Sequence, residues 1–120
     1  MSLLDTPLVT ILSRALDLTA QRQNLVSQNI ANIDTPGYHT RDLDFRQELQ
    51  RASTLDQEVA NTPVVRQVQG LIERPDGNNV SIDREGLLMA QNQLQFQTEA
   101  QLLRSEFNRL QMAINGGGGQ

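Results

Sequence analysis

The chain has 120 residues and a mass of 13.4 kDa, which fits one module of ordinary domain size better than two. Hydrophobic residues make up 38% and aromatics 3%, below the roughly 45–50% apolar content of a typical globular domain, so a sealed monomeric core is short of material. The net charge of −4, the absence of cysteine and the lack of any apolar run of about 18 residues argue against nucleic-acid binding, thiol chemistry and a membrane span respectively.

All ten basic residues are Arg, scattered from Arg14 to Arg109 without a phosphate-binding cluster, while 15 Gln and 9 Asn make a fifth of the chain. Such a chain covers itself in amides. The opening Met1 to Pro7 has neither a basic region nor the apolar run of a cleaved signal peptide, so passage out of the cytoplasm would need another export route.

The first element runs from about Thr6 to Asn32, with Thr6 as N-cap and Pro7 at the first helical position, where its missing N–H costs nothing. Val9, Leu12, Leu16, Val26, Ile30 and Ile33 recur at helical spacing, with Leu8, Ile11, Ala15, Leu18 and Leu25 beside them. Thr19, Arg22 and Gln23 interrupt that stripe at core-like positions. The helix stops between Asn32 and Gly37, because Pro36 forces Thr35 out of the α region and Gly37 supplies a positive φ. Thr35-Pro36-Gly37-Tyr38 reads as a type II turn.

From Tyr38 to Phe45 the chain is expected to be extended, and a short amphipathic helix follows from Phe45 to about Ala52. Residues 53–80 carry Pro63, Gly70, Pro75 and Gly77 between β-branched pieces, which predicts loops and one small hairpin. Asp76-Gly77-Asn78-Asn79 is a turn signal. Ser81 then caps a last helix whose first turn places Asp83 and Glu85 at the positive dipole end. Along that helix Met89, Gln93, Phe96, Ala100, Leu103, Phe107, Leu110 and Ile114 alternate spacings of four and three, a heptad seam that can be buried only against another helix. Gly116 to Gln120 is expected to end it as a flexible tail.

These readings define a mainly α fold in one structural module. Residues 1–34 form an N-terminal coiled-coil helix, 35–80 a turn and irregular middle, 81–115 a C-terminal coiled-coil helix and 116–120 the tail. Two such helices leave apolar surface on their outer sides, which predicts self-association or a partner.

Chemistry finds little purchase. His39 is the only histidine, and only Asp42 and Asp44 stand near it as orienting acids, the weakest form of a hydrolytic constellation. The Asp76 loop fails the calcium-loop register, which asks for an oxygen ligand where Val80 stands and Gly where Ser81 stands. The glycine tail lacks the strand, Lys and hydroxyl of a phosphate-binding loop. No catalytic, cofactor or metal residues are assigned.

The stretch Ser27-Gln28-Asn29-Ile30-Ala31-Asn32-Ile33-Asp34-Thr35-Pro36-Gly37-Tyr38, closing an N-terminal helix, resembles the signature of the bacterial flagellar rod, hook and hook-associated axial proteins. The signature turn is carried by Asn29, Ile30, Ala31, Asn32, Asp34, Thr35, Pro36, Gly37 and Tyr38. Arg41 to Phe45 and Asp76 to Glu85 are similar to the proximal rod members of that family.

The resemblance implies a structural subunit of the flagellar basal body, not an enzyme. It implies helical self-assembly, terminal helices layered around a central channel, and the middle segment outside. It also implies other axial rod proteins, MS-ring and rod-adaptor components and the flagellar type III export apparatus as partners, with export through the envelope without signal cleavage. The expected assembly seam is Val9, Leu12, Leu16, Val26 and Ile30 with Met89, Phe96, Ala100, Leu103, Phe107, Leu110 and Ile114. Two readings from other classes stand beside it: a soluble helical adaptor or chaperone-like module, and a small hydrolase built on His39.

Overall fold

The computed structural model describes residues 6–54 and 62–118. Two long helices lie antiparallel, α1 over Pro7–Ala31 and α3 over Ile82–Gly118. Between them come β1 (Arg41–Leu43), α2 (Phe45–Thr54) and β2 (Val65–Gln67). At 1.5 Å per residue, α1 is about 37 Å long and α3 about 55 Å, so α3 runs on past its partner. The molecule is 71 Å in its longest dimension and 18 Å in its shortest.

Each helix begins where its cap chemistry places it. The Val9 amide donates to the Thr6 hydroxyl at 3.2 Å and the Arg84 amide to the Ser81 hydroxyl at 3.2 Å. α1 ends at Asn32, and the Tyr38 amide closes the next turn on the Thr35 carbonyl at 3.2 Å, with Gly37 at φ 76°. That positive φ is the reason for glycine at the turn's third position. α2 begins at Phe45 as expected, with the Gln47 amide capped by the Asp44 carboxylate at 3.0 Å.

Two expectations are corrected. The hairpin foreseen within residues 53–80 is instead a two-stranded antiparallel sheet in which Arg41 faces Gln67, Asp42 faces Arg66 and Leu43 faces Val65, with α2 in the connection. The Val64-Val65 piece takes this edge because β1 is already anchored on α1, and the ladder extends as the Val68 amide donates to the Thr40 carbonyl. Gly70, at φ 82°, then turns the chain away from a local return. The second correction is at the C-terminus, where the helix continues through Gly118 instead of ending at Asn115. Glycine keeps its N–H, so the ladder continues at a cost of about 1 kcal/mol per residue relative to Ala. The last two residues of the expected tail, like 1–5 and 55–61, lie outside the described residues.

The apolar core is one-sided. The buried apolar side chains are Val9, Leu12, Ala15, Leu18, Leu25 and Val26 of α1, with Leu43 of β1 and Val80. Among the described residues, α3 contributes none of them. What α3 buries is a polar row: Glu85, Asn92, Glu99 and Glu106, at intervals of seven.

Candidate functional site

That polar row meets the residues that interrupt the apolar stripe of α1. The Thr19 hydroxyl donates to Glu99 at 2.7 Å, the Asn92 amide donates to the Gln23 side-chain oxygen at 3.0 Å, and Asn29 Nδ2 donates to Glu85 at 3.1 Å. Polar faces polar along the helix pair, so the interruption is satisfied within one chain.

The contacts are densest where α1 ends and α3 begins. Asn29 is only 1% exposed and uses the full capacity of its amide. Its Nδ2 donates to the Arg41 carbonyl at 2.9 Å and to Glu85, while its Oδ1 accepts from the Tyr38 hydroxyl at 2.9 Å and the Arg41 amide at 3.1 Å. One side chain thus ties the helix, the turn after it, the first strand and the last helix.

Asn32, one helical turn on, donates to the Gln28 carbonyl and accepts from the Thr35 hydroxyl. Its own carbonyl and that of Thr35 accept both Nδ2 protons of the buried Asn78, at 2.9 and 2.8 Å. Asn78 Oδ1 accepts from the Val80 amide, and Asn79 Oδ1 accepts from the Thr40 amide at 2.7 Å. Arg74 adds donations to the Ile33 and Val80 carbonyls.

The two glycine turns stack on each other. The Gly37 amide donates to the Asp76 carbonyl at 2.9 Å, and a Cβ on Gly77, at φ 86°, would stand 3.2 Å from the Gly37 Cα. A side chain at Gly77 is therefore opposed both by its own backbone and by the facing turn.

An ion-pair chain completes the junction. Asp42 on β1 accepts two bonds from Arg22, at 2.9 and 3.0 Å, and one from Arg84 at 2.9 Å, and Arg84 reaches on to Glu85 at 2.7 Å. Burial is the largest single influence and pushes the Asp42 carboxyl up, but the Arg22 bond, the Leu43 amide and Arg84 together outweigh it and the net shift is downward from the ordinary carboxylate value. Arg22 is raised, chiefly by the same bond.

The sequence-predicted residues divide by exposure. In the signature, Asn29 is buried, Ile30, Asn32 and Tyr38 are half-buried, and Ala31, Asp34, Thr35, Pro36 and Gly37 are exposed. In the seam, Val9, Leu12 and Val26 are buried and Leu16 and Ile30 half-buried. Met89, Ala100, Leu103 and Leu110 are half-buried, while Phe96, Phe107 and Ile114 are 45%, 37% and 46% exposed. The α3 seam thus lies on a flank about 40–80° around the helix from the polar row.

Asn78, Asn79, Glu85 and the Arg22–Asp42–Arg84 chain were not singled out as site residues by the sequence reading. A signal for the row existed, since Glu85, Asn92, Glu99 and Glu106 keep heptad register with the gap at Thr19 to Gln23.

The hydrolytic constellation is not assembled: His39 Nε2 lies 3.1 Å from Glu73 Oε1, Asp42 is held by the two guanidiniums, and Asp44 caps α2. Among the described residues, no group of three His, Asp or Glu side chains could hold a metal ion, and no helix is long and apolar enough to cross a membrane.

A long helix pair, unfinished on one flank and knotted at one end by an Asn-rich turn, describes a helical building block better than a catalyst. The family profile described as "Flagella basal body rod protein" matches residues 10–39, which span most of α1 and the turn. The flagellar basal body rod protein FlgB of Salmonella typhimurium is 33% identical over 86% of this chain and 89% of its own length. FlgB of Escherichia coli is 33% identical with the same coverage, and FlgB of Cereibacter sphaeroides is 38% identical over 87% of this chain and 91% of its own. The chain belongs to the FlgB family of flagellar basal body rod proteins.

Proposed function

We propose that this chain is a structural subunit of the flagellar basal body rod, built into its proximal part by self-assembly of the terminal helices. The observation that carries the reading is the contrast along α3: a junction with its polar groups paired at one end, and an apolar row left open on the flank. Among the described residues Phe96, Phe107 and Ile114 stay exposed, which leaves them for neighbouring molecules to cover, and similarity to FlgB proteins over nearly the whole chain supports rod neighbours as that cover.

In this reading Val9, Leu12, Leu16, Val26 and Ile30 hold α1 to α3. Met89, Phe96, Ala100, Leu103, Phe107, Leu110 and Ile114 meet adjacent subunits. Family membership supports association with other basal-body and rod components. The finer partners are the MS ring and rod adaptors, and delivery runs through the flagellar type III export apparatus to the envelope without signal cleavage. The role is geometric and no reaction is assigned to it.

The test is Leu103→Asp in the full chain. Secretion into the medium should persist while rods and motility are lost, and normal swimming of that variant would sink the seam. The adaptor reading, which predicts a finished monomer or dimer, is not favoured by the FlgB relatives.

A further inference from the structure

Nine asparagines are spread along the chain, and one of them, Asn115, is followed by glycine. The others precede residues with side chains, and those at the helix contacts are tied down: Asn29, Asn78, Asn79 and Asn92 are buried and hydrogen-bonded. Asn115 is exposed, and among the described residues its carboxamide has no hydrogen-bond partner.

An Asn-Gly pair has a chemistry of its own. The backbone nitrogen of the second residue can attack the side-chain carbonyl carbon of the first to close a succinimide ring, and glycine leaves that nitrogen unscreened because it has no Cβ. An α-helix blocks the attack. The Gly116 N–H is committed to the carbonyl four residues back, and the helical ψ of about −42° keeps the nitrogen away from the side-chain carbon.

Reactivity therefore depends on how often the last turn of α3 opens. Gly116, Gly117 and Gly118 lie in that turn, and only proline is a weaker helix former than glycine. The final carbonyls have no partner within the helix. Among the described residues, apart from the helix's own backbone, nothing stands within 4 Å of where a Gly116 Cβ would lie. Asp76-Gly77 is the contrasting pair. There the Gly77 amide donates to the Arg74 carbonyl at 2.8 Å, Asp76 accepts from the Asn78 amide at 3.0 Å, and the facing turn at Gly37 closes the space. Tertiary contacts hold that pair, whereas helix propensity alone holds Asn115-Gly116.

We propose that Asn115-Gly116 is a self-modification site at which the last turn of α3 is irreversibly loosened. The Gly116 nitrogen gives its proton to a solvent base and bonds to Asn115 Cγ, the Cγ–Nδ2 bond breaks, and ammonia leaves after taking a proton from water. Water then opens the ring. Breaking the Cγ–N bond restores the main chain as aspartate, and breaking the backbone C–N bond routes it through the side chain as isoaspartate. No oxidant or reductant takes part. Either product puts a carboxylate at the negative end of the helix dipole, and isoaspartate also inserts a methylene that breaks the hydrogen-bond register beyond Ile114. The chemistry needs only the isolated chain and stands apart from the rod-subunit reading.

The test holds the full chain in mildly alkaline buffer made with heavy-oxygen water, then follows the peptide containing residue 115 by mass spectrometry and reversed-phase separation. Asn115 should convert ahead of every other asparagine, faster as pH rises, to a mixture of isoaspartate and aspartate carrying one heavy oxygen. Gly117→Ala with Gly118→Ala strengthens the helix without touching the attacking residue and should slow conversion about tenfold. Asn115→Gln should abolish it, and the converted chain should show a smaller helical circular-dichroism signal than that variant treated in parallel. Asn115 persisting in the folded chain while the urea-unfolded chain converts would overturn the proposal. So would equal rates in the parent and double-alanine chains, another asparagine converting first, or an unchanged helical signal after conversion.

Discussion

The two ends of the helix pair follow opposite rules. At the junction, Asn29, Asn78 and Asn79 are buried and bonded, Asp42 sits between two guanidiniums, and two glycine turns lock together. At the far end, Met112 and Ile114 of α3 and Leu8 and Ile11 of α1 are 40–71% exposed, and α3 continues beyond its partner. The junction is complete in one molecule. Among the described residues, the far end has apolar surface and few neighbours. A subunit designed this way carries its shape into an assembly at one end and takes its stability from the assembly at the other.

The strongest way to break that contrast is to remove the central amide. Asn29→Leu should destabilise the isolated chain by about 3 kcal/mol or more, because Arg41, Tyr38 and Glu85 lose partners in a buried place. Thermal melting followed by circular dichroism measures it, and a change below about 1 kcal/mol would mean the junction is not the fold's anchor. Leu18→Ala, at a side chain with 0% exposure, is expected to cost about 2–4 kcal/mol in the same assay.

Acid should act on the junction in a defined direction. The Asp42 carboxyl is lowered in the folded chain, so its stabilising contribution is complete above the ordinary carboxylate value near 4 and is lost as pH falls through the lower folded value. Asp42→Asn should therefore be less stable at pH 7 and show a shallower loss than the parent chain as pH falls below about 4, the ordinary carboxylate value. Parallel acid titrations of the two would expose a wrong sign.

The smaller effects sharpen the comparison. Glu99→Leu leaves the Thr19 hydroxyl bonded to the Ala15 carbonyl at 2.9 Å, so no buried group is orphaned and stability should stay equal or rise by about 1 kcal/mol. Ile114→Ser should change the isolated chain by no more than about 0.5 kcal/mol, yet abolish motility if neighbours cover the far end. A variant that melts normally and also swims normally would show that the far end is not part of the contact.

Much of this architecture was legible along the chain because it is local. Thr6 and Ser81 cap, Pro36-Gly37 turns, and periodicity marks both long helices, since each depends on residues within a few positions. Sequence pattern failed for the strand pairing, where the partner of Val65 lies 22 residues away beyond a helix, and for the face that α3 turns toward α1. The most apolar heptad is the natural candidate for an intramolecular seam. What α3 buries fully is a polar row, with Met89, Leu103 and Leu110 half-buried beside it, because Thr19 and Gln23 on α1 and Asn29 at its end require polar partners.

The linear order of residues by itself determined two amphipathic helices, their limits at the caps and turn, a shortage of core and the signature that resembles the flagellar axial proteins. Only the folded chain decided which stripe is used within the molecule and which is left outside. The reason is that burial is a property of pairs of surfaces: a hydrogen-bonding side chain becomes a good interior residue only when another part of the chain, dozens of residues away, offers the matching donor or acceptor.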